Sequence, residues 1–145
     1  MTNWTVTSVE ELNEVAKTVL NICQTDATSR ATVLALHGDL GAGKTTFVQQ
    51  LASLMGIAET VNSPTFVIMK SYEAEGEMSR LVHIDAYRID LIDEMIVLGF
   101  EEILAQKNTI ICIEWAERIT ELLPANTKHL TFDLVLETRT LTLTP

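Results

Sequence analysis

The stretch TVLALHGDLGAGKTTFVQQL, residues 32–51, decides the fold of this chain. Its first five residues form a short, mostly apolar run of the kind found in strands that are covered on both faces. Three glycines follow between residues 38 and 43, and from Lys44 onward the apolar residues recur at helical spacing. A buried-type strand, a glycine-rich loop and an amphipathic helix in direct succession predict an α/β domain.

The loop in this stretch, residues 38–45, matches the pattern G-x-x-x-x-G-K-[ST] at every position. Glycines allow backbone N–H groups to converge on phosphate oxygens where a side chain would clash, and the following helix adds its positive end. In this pattern Lys44 contacts the terminal phosphates, and the Thr45 hydroxyl binds magnesium. The loop therefore predicts a site for a magnesium nucleotide. The predicted nucleotide-binding residues are Asp39, Leu40, Gly41, Ala42, Gly43, Lys44, Thr45 and Thr46.

Two acidic residues stand where a magnesium nucleotide site needs them. Such a site uses carboxylates to hold the metal and to orient a water molecule, at strand ends beside the loop. Asp85 ends the apolar run 81–84, and Glu114 ends the run 110–113. We predict Lys44, Asp85 and Glu114 as catalytic residues, with Thr45, Asp85 and Glu114 directed at the metal. Either acid is compatible with binding the metal and with positioning the nucleophile.

The rest of the chain continues the alternation of helices and strands. Capping-box spacing at residues 8–11 predicts the start of a helix that extends to about residue 24. Strands are predicted at 4–7, 32–36, 66–72, 80–85, 109–114, 130–136 and 140–144, and further helices at 44–55, 93–98, 100–106 and up to residue 123. Strands alternate with helices early and cluster late, which indicates a mixed sheet in one domain, residues 1–145.

Composition limits the possible partners. The chain has 145 residues, 20 acidic against 10 basic side chains, and a formal net charge of -10. An acidic surface without Lys/Arg clusters disfavours direct binding to DNA or other large polyanions. No apolar run is long enough for a membrane helix, and no signal-peptide pattern is present, so we expect a cytoplasmic protein. Cys23 and Cys112 lie in apolar patterns and are expected to be core thiols.

The identity of the nucleotide follows from what the sequence lacks. Guanine-specific proteins with this loop use an Asn-Lys-x-Asp element, and no such run occurs here. Adenine nucleotides, ATP and ADP, or a loose selection of the base are therefore expected, with Mg²⁺. Small-molecule kinases commonly close several arginines over the transferred phosphoryl group. This chain has only five arginines in its whole length, and that small number disfavours a kinase without excluding it.

Four stretches in order resemble one known family, the bacterial TsaE (YjeE) proteins of tRNA threonylcarbamoyladenosine biosynthesis. They are GDLGAGKTT at 38–46, SPTF at 63–66, HIDAYR at 83–88 and IEW at 113–115. The stretch DEMIVLGF at 93–100 resembles the acidic helix of the family. The phosphate loop alone is shared by many nucleotide-binding proteins, whereas the ordered set is specific. One departure is Ala116, where the family usually has proline.

The resemblance implies a fold and a function. The fold is a P-loop NTPase-like, three-layer domain with a mixed sheet of about seven strands. The function is ATP hydrolysis in complex with the TsaD and TsaB proteins, in which the chain meets tRNA only through its partners. It also implies that Thr65 acts as a switch residue near the γ-phosphate.

Two other functions remain compatible with the same loop. The first is a small-molecule kinase in which Asp85 activates an acceptor hydroxyl, and the second is a nucleotide-sensing module that barely hydrolyses ATP. Because no arginine finger is evident in the sequence, we expect hydrolysis by the chain alone to be slow. His37 and His83 belong to no paired ligand pattern and are interpreted as structural.

Overall fold

The computed structural model describes residues 1–27, 29–39, 41–64 and 67–145. Its centre is one mixed sheet of seven strands, with the spatial order β1-β7-β6-β2-β5-β4-β3. The strands are β1 (Thr2–Val6), β2 (Thr32–His37), β3 (Met69–Glu73), β4 (Arg80–Asp85), β5 (Thr109–Glu114), β6 (Lys128–Val135) and β7 (Thr138–Thr144). The helices are α1 (Val9–Thr25), α2 (Lys44–Leu54), α3 (Ile92–Val97), α4 (Phe100–Leu104) and a 3₁₀ helix (Ala116–Leu122).

Helices cover both faces of this sheet, which makes three layers. One apolar cluster joins α1 and α2 to the face that carries Leu34, Leu36 and Phe132. The other joins α3, α4 and the 3₁₀ helix to the opposite face, which carries Val33 and Ala35. Successive residues of β2 therefore face different layers, as expected for a strand with both faces buried. The predicted α/β fold with a mixed, seven-stranded sheet is confirmed.

Strand direction explains the mixed character of the sheet. The four inner strands β6, β2, β5 and β4 are parallel to one another. At the edges, β7 pairs antiparallel with β6 and with β1, and β3 pairs antiparallel with β4. The strands predicted within residues 66–85 and 130–144 thus form two hairpins at the antiparallel edges of a parallel core.

The first helix begins where the sequence predicts it. Ser8 is its N-cap, and the Ser8 hydroxyl accepts a hydrogen bond from the Glu11 backbone N–H at 3.2 Å. The second half of the predicted capping box is different, because the Glu11 carboxylate accepts from the Thr7 hydroxyl at 2.8 Å and from the Thr7 backbone N–H at 3.4 Å. The Glu11 carboxylate therefore binds Thr7, the residue before the N-cap.

Two predicted elements need correction. The strand expected over residues 66–72 begins at Met69, since Val67 and Ile68 form a turn in which Ile68 has φ 68°; Phe66 lies outside the described residues. The last helix is a 3₁₀ helix with a non-helical residue, Ile119, and it ends at Leu122. Its short apolar face packs on the core through Ala116 and Ile119, which a short 3₁₀ segment can do.

Both cysteines are buried, as predicted. Cys23 and Cys112 are free thiols with no exposed surface. Burial raises the pKa of Cys23 to about 12 and raises the pKa of Cys112 well above its ordinary value, because a thiolate is poorly solvated in the core. Both side chains therefore behave as small apolar groups at neutral pH.

The helices of this fold are short or amphipathic. Within the ranges that the structure describes, none of them combines the length and the apolar character needed to cross a bilayer.

Gly38 is the residue through which the phosphate loop leaves β2, and its backbone lies against β6. Its φ is 144°, and a Cβ built there would lie 2.6 Å from the Phe132 carbonyl oxygen. We expect Gly38→Ala to lower the free energy of unfolding by about 3 kcal/mol, since it combines overpacking with a backbone conformation that alanine disfavours.

The matched control for this prediction is Gly41→Ala. Gly41 also has positive φ (84°), but an added Cβ meets no described heavy atom within 4 Å. We expect it to cost only about 1 kcal/mol, from backbone strain alone. Urea unfolding of both variants measures the difference, and equal losses would contradict the proposed contact with Phe132.

Candidate functional site

Three parallel strands bring the predicted site residues to one edge of the sheet. β2, β5 and β4 are neighbours, and residues at their carboxyl ends share register: Leu36 lies opposite Glu114, and Glu114 opposite Asp85. The phosphate loop follows β2 directly, so it leaves the sheet at the same edge. Parallel α/β sheets bind ligands outside the carboxyl ends of their strands. The two acids and the loop therefore meet at the place where a ligand is expected.

The phosphate loop passes directly into the first turn of α2. Ala42 N–H donates to the Asp39 carbonyl at 3.1 Å, and Phe47 N–H donates to the Gly43 carbonyl at 2.9 Å. Gly43 is the N-cap with φ 106°, a conformation that favours glycine. The free backbone N–H groups of the first turn, together with the helix dipole, form an anion site.

Lys44 lies almost entirely inside this site, since only 6% of its surface is exposed. Its ammonium group donates a hydrogen bond to the Gly38 carbonyl and lies 5.4 Å from the centroid of the Trp115 ring. The first contact lies within the loop and the second is to the residue that follows β5, so the charge stays at the sheet edge and does not extend into solvent.

A cavity of about 180 Å³ opens beside Lys44. It is lined by Gly41, Gly43, Lys44, Thr45, Thr46, Glu114 and Arg139. Most of the predicted loop residues and one of the two predicted acids thus share one cavity. A second cavity, of about 360 Å³, lies between the loop and β6 and is lined in part by Asp39 and Ala42. Of the other predicted residues, Leu40 and Thr65 lie outside the described residues.

Glu114 is held by a residue that sequence reasoning interpreted as structural. The Glu114 Oε2 lies 2.7 Å from Nε2 of His83, whose side chain is completely buried on the neighbouring strand β4. Cys112 lies opposite His83, and Glu114 follows Cys112 by two residues. Because every second residue of a strand lies on the same face, the side chains of His83 and Glu114 share one face of the sheet. The other ring nitrogen, Nδ1, has no hydrogen-bond partner within the described ranges. A histidine that donates its Nε2–H fixes the direction of the carboxylate.

Asp85 is placed differently from Glu114. Its side chain is buried, and Oδ1 accepts a hydrogen bond from the Tyr87 backbone N–H at 2.9 Å. Its own backbone N–H donates to the Ile68 carbonyl at 2.8 Å. Asp85 is adjacent to Glu114 by register but is not among the residues that line the cavity with Lys44. The structure therefore brings Glu114, and not Asp85, into direct contact with that space.

An aromatic group covers the sheet edge next to the cavity. Trp115 has φ 59°, and its ring centroid lies 4.9 Å from that of Tyr87. The Arg118 guanidinium lies 5.3 Å from the Tyr87 centroid. Trp115 thus has a left-handed backbone directly after β5, and its ring lies beside both Tyr87 and the Lys44 ammonium.

Two histidines form a pair at the start of the loop. His37 Nε2 and His129 Nδ1 are 2.9 Å apart, and the two rings stack with centroids 5.1 Å apart. Partial burial lowers the pKa of His37, and His129 lowers it further, while the Glu117 carboxylate opposes the shift. His37 is therefore neutral at physiological pH and links the end of β2 to β6.

The chain is similar to proteins of one known family. The sequence model of the family described as "Threonylcarbamoyl adenosine biosynthesis protein TsaE" matches residues 6–141. The chain belongs to the TsaE family. The relative named tRNA threonylcarbamoyladenosine biosynthesis protein TsaE from Bacillus subtilis is 40% identical over 121 residues, which cover 83% of this chain and 70% of the relative. A TsaE relative from Rickettsia conorii is 35% identical over 82% of this chain and 63% of its own length.

A solved structure shows the same architecture as this TsaE family member. The crystal structure of Bacillus subtilis YdiB superposes with a TM-score of 0.75 and 31% identity, covering 98% of this chain and 83% of that chain. The four motifs by which the sequence resembles the TsaE family all lie within the matched residues.

The contact between His83 and Glu114 has a measurable consequence for stability. We expect His83→Leu to destabilise the protein, since it leaves the Glu114 carboxylate buried without its donor, and we expect Glu114→Met to relieve part of that cost. A double-mutant cycle of the two by urea unfolding should give a coupling energy of about 1.5–3 kcal/mol, as for hydrogen bonds to charged groups. A coupling energy below about 0.5 kcal/mol would mean that the contact does not hold Glu114.

Proposed function

We propose that this chain is a Mg²⁺-dependent ATPase that acts in tRNA threonylcarbamoyladenosine biosynthesis, in complex with TsaD and TsaB. The observation that carries the proposal is the shared cavity of Lys44, Thr45 and Glu114 at the carboxyl ends of the parallel strands. These supply a cation for phosphate, a hydroxyl for magnesium and a carboxylate for a water molecule, which are the groups that nucleotide hydrolysis requires. Membership of the TsaE family connects that chemistry to the pathway named for its relatives.

The loop residues bind and orient the phosphates in this proposal. Backbone N–H groups from Gly43 to Thr46 surround the phosphate chain, and the ammonium of Lys44 exchanges the Gly38 carbonyl for phosphate oxygens. A buried cation is favourable there because the phosphates supply the opposite charge.

The residues around the cavity also fit magnesium. The described residues contain no group of three or more His, Cys, Asp or Glu side chains that could hold a metal ion. Magnesium in nucleotide sites does not need such a group, because it retains waters and takes phosphate oxygens with one or two protein ligands. Thr45 would bind it, with Asp85 or Glu114 directed at its waters. The ion supplies charge neutralisation on the phosphates.

We assign Glu114 the task of orienting the attacking water. It lines the cavity, and His83 holds only its Oε2, so the carboxylate has a fixed direction and one oxygen that receives no described side-chain donor. Asp85 is one strand further away and already accepts the Tyr87 N–H, which suits a role at the outer hydration of the metal.

The partners follow from the family and from charge. With a net charge of -10, the surface repels a polyanion such as tRNA, so contact with tRNA through TsaD and TsaB is the electrostatically favourable arrangement. Hydrolysis that depends on those partners also fits the resemblance to the TsaE family. In a small-molecule kinase Asp85 would activate an acceptor hydroxyl, and Asp85 is not among the residues that line the cavity with Lys44.

The first experiment measures phosphate release from Mg-ATP without any acceptor. We expect slow release by the chain alone, faster release with TsaD and TsaB, and none by Lys44→Ala, because that variant lacks the cation at the transferred phosphoryl group. Lys17→Gln, at an exposed position on α1, removes the same charge as the control. Background release in every mixture, with nucleotide still bound, would contradict the ATPase proposal and favour a sensor or a kinase.

The same assay separates the two acids. We expect Glu114→Gln to lower turnover by about 10²-fold or more while ATP affinity stays nearly unchanged, because a water-orienting carboxylate acts in the transition state. Asp85→Asn should raise the Mg²⁺ concentration needed for half-maximal turnover more than it lowers turnover at saturating Mg²⁺. If Asp85→Asn lowers turnover at saturating Mg²⁺ and Glu114→Gln does not, the two assignments are reversed.

A further inference from the structure

The end of the β6–β7 hairpin, residues 133–137, exposes three consecutive apolar side chains. Their exposed fraction rises from 46% at Leu134 through Val135 to 92% at Leu136. Leu134 follows Phe132 on the face of the sheet that α1 and α2 cover, and Val135 lies on the opposite face. Neither helical layer therefore covers this hairpin tip, which presents apolar surface on both faces and at its turn.

The backbone of the turn makes this exposure more unfavourable. Val135 pairs with Thr138, so Leu136 and Glu137 form a two-residue turn. Leu136 has φ 58°, in the left-handed region that leucine disfavours. Tight hairpin turns prefer asparagine or glycine at positions with positive φ. A leucine that is both strained and almost fully exposed does not stabilise the isolated chain, and strain of this kind concentrates at functional sites.

The hairpin tip lies beside the phosphate loop. β6 is parallel to β2, so the tip is at the edge of the sheet where the loop leaves β2. The cavity of about 360 Å³ separates them, lined in part by Asp39 and Ala42 of the loop and by residues 131–135 of β6. From β7, the Arg139 Nε–H donates to the Ala42 carbonyl at 3.1 Å, and the side chain covers Gly43. A molecule bound at the tip is therefore next to the loop.

Carboxylates form the rim of this surface. Asp39, Asp133 and Glu137 are exposed, and none of them forms an ion pair within the residues that the structure describes. Their charge repels nucleic acids and anionic membranes, and it disfavours a second copy of this acidic chain. An apolar centre with an acidic rim is complementary to an apolar groove bordered by Lys or Arg. The tip therefore fits a protein partner with such a groove.

We propose that the hairpin tip is a docking surface that inserts into an apolar groove with a basic rim on the protein partner of the ATPase. This inference rests on the proposed function and assigns the surface by which the partner reaches the nucleotide site. Docking buries Leu134, Val135 and Leu136, which supply the apolar contribution to affinity. The partner then lies beside the phosphate loop, where it acts on hydrolysis.

The test uses Leu136→Asn. Calorimetric titration with the TsaD–TsaB complex in the presence of Mg-ATP should show binding weakened by about tenfold or more, the effect of removing one buried leucine. Phosphate release at a subsaturating partner concentration should fall in parallel. Basal release and Mg-ATP affinity of the chain alone should not change, since Leu136 does not line the cavity with Lys44. Asparagine tolerates positive φ, so the thermal midpoint should stay the same or rise, which separates lost docking from lost folding.

Two further variants test the position and the charge of the surface. Val97→Asn is the matched control, because Val97 is an 85% exposed apolar residue on α3. It should retain partner binding, and a loss as large as that of Leu136→Asn would overturn the assignment to the tip. Asp133→Asn combined with Glu137→Gln should weaken binding at low salt and reduce its salt dependence. Tighter binding by that double variant would overturn the basic rim.

The remaining outcomes distinguish this inference from the proposed function. If the partners neither bind nor stimulate the wild type, the proposed function and the docking surface fail together. If they stimulate the wild type and Leu136→Asn equally, the ATPase stands and the docking surface alone is wrong. Sedimentation of the chain alone is the last arm: a wild-type dimer that Leu136→Asn abolishes would assign the tip to a second copy and overturn the inference.

Discussion

Parallel pairing of β2 with β5, and of β5 with β4, is the constraint on which the whole candidate site depends. It places the ends of three chain segments that are far apart in sequence at one edge of the sheet. The loop after β2, Glu114 at the end of β5 and Asp85 at the end of β4 become neighbours because the strands that carry them pair in parallel. Apolar layers on both faces keep those strands aligned, so the core that stabilises the protein also sets the geometry of the site.

The charge distribution at this edge opposes that of the molecule as a whole. The chain carries twice as many acidic as basic side chains, yet Lys44, Arg139 and the N-terminus of α2 converge on one small cavity. A local positive potential within an acidic surface selects a small, compact anion and disfavours a long one. Glu114 and Asp85 lie side by side at the same edge of the sheet. A divalent cation would stabilise two neighbouring carboxylates. The cavity therefore suits a nucleotide with its magnesium better than a nucleic-acid backbone.

Much of the fold was predictable because the local patterns are strong. The bounds of β4 and β5 agree with the sequence, since each is an apolar run that ends at one acid. The start of α1 at Ser8 and the division between α3 and α4 at Gly99 follow from capping and from glycine conformation. The last helix was harder to predict, because apolar spacing does not distinguish a kinked 3₁₀ segment from a short α-helix. The second half of the capping box also differed, since Glu11 reaches Thr7.

The sequence by itself determined the phosphate loop, the two acids at strand ends and membership of the TsaE family, because each is a local pattern of residue types. Only the tertiary structure decided that Glu114 lines the cavity while Asp85 does not, that His83 holds Glu114, and that Arg139 lies on Gly43. These are contacts between strands, and no spacing along the chain encodes them. They arise from the order and direction of seven strands in one sheet, which long-range packing selects when the chain folds.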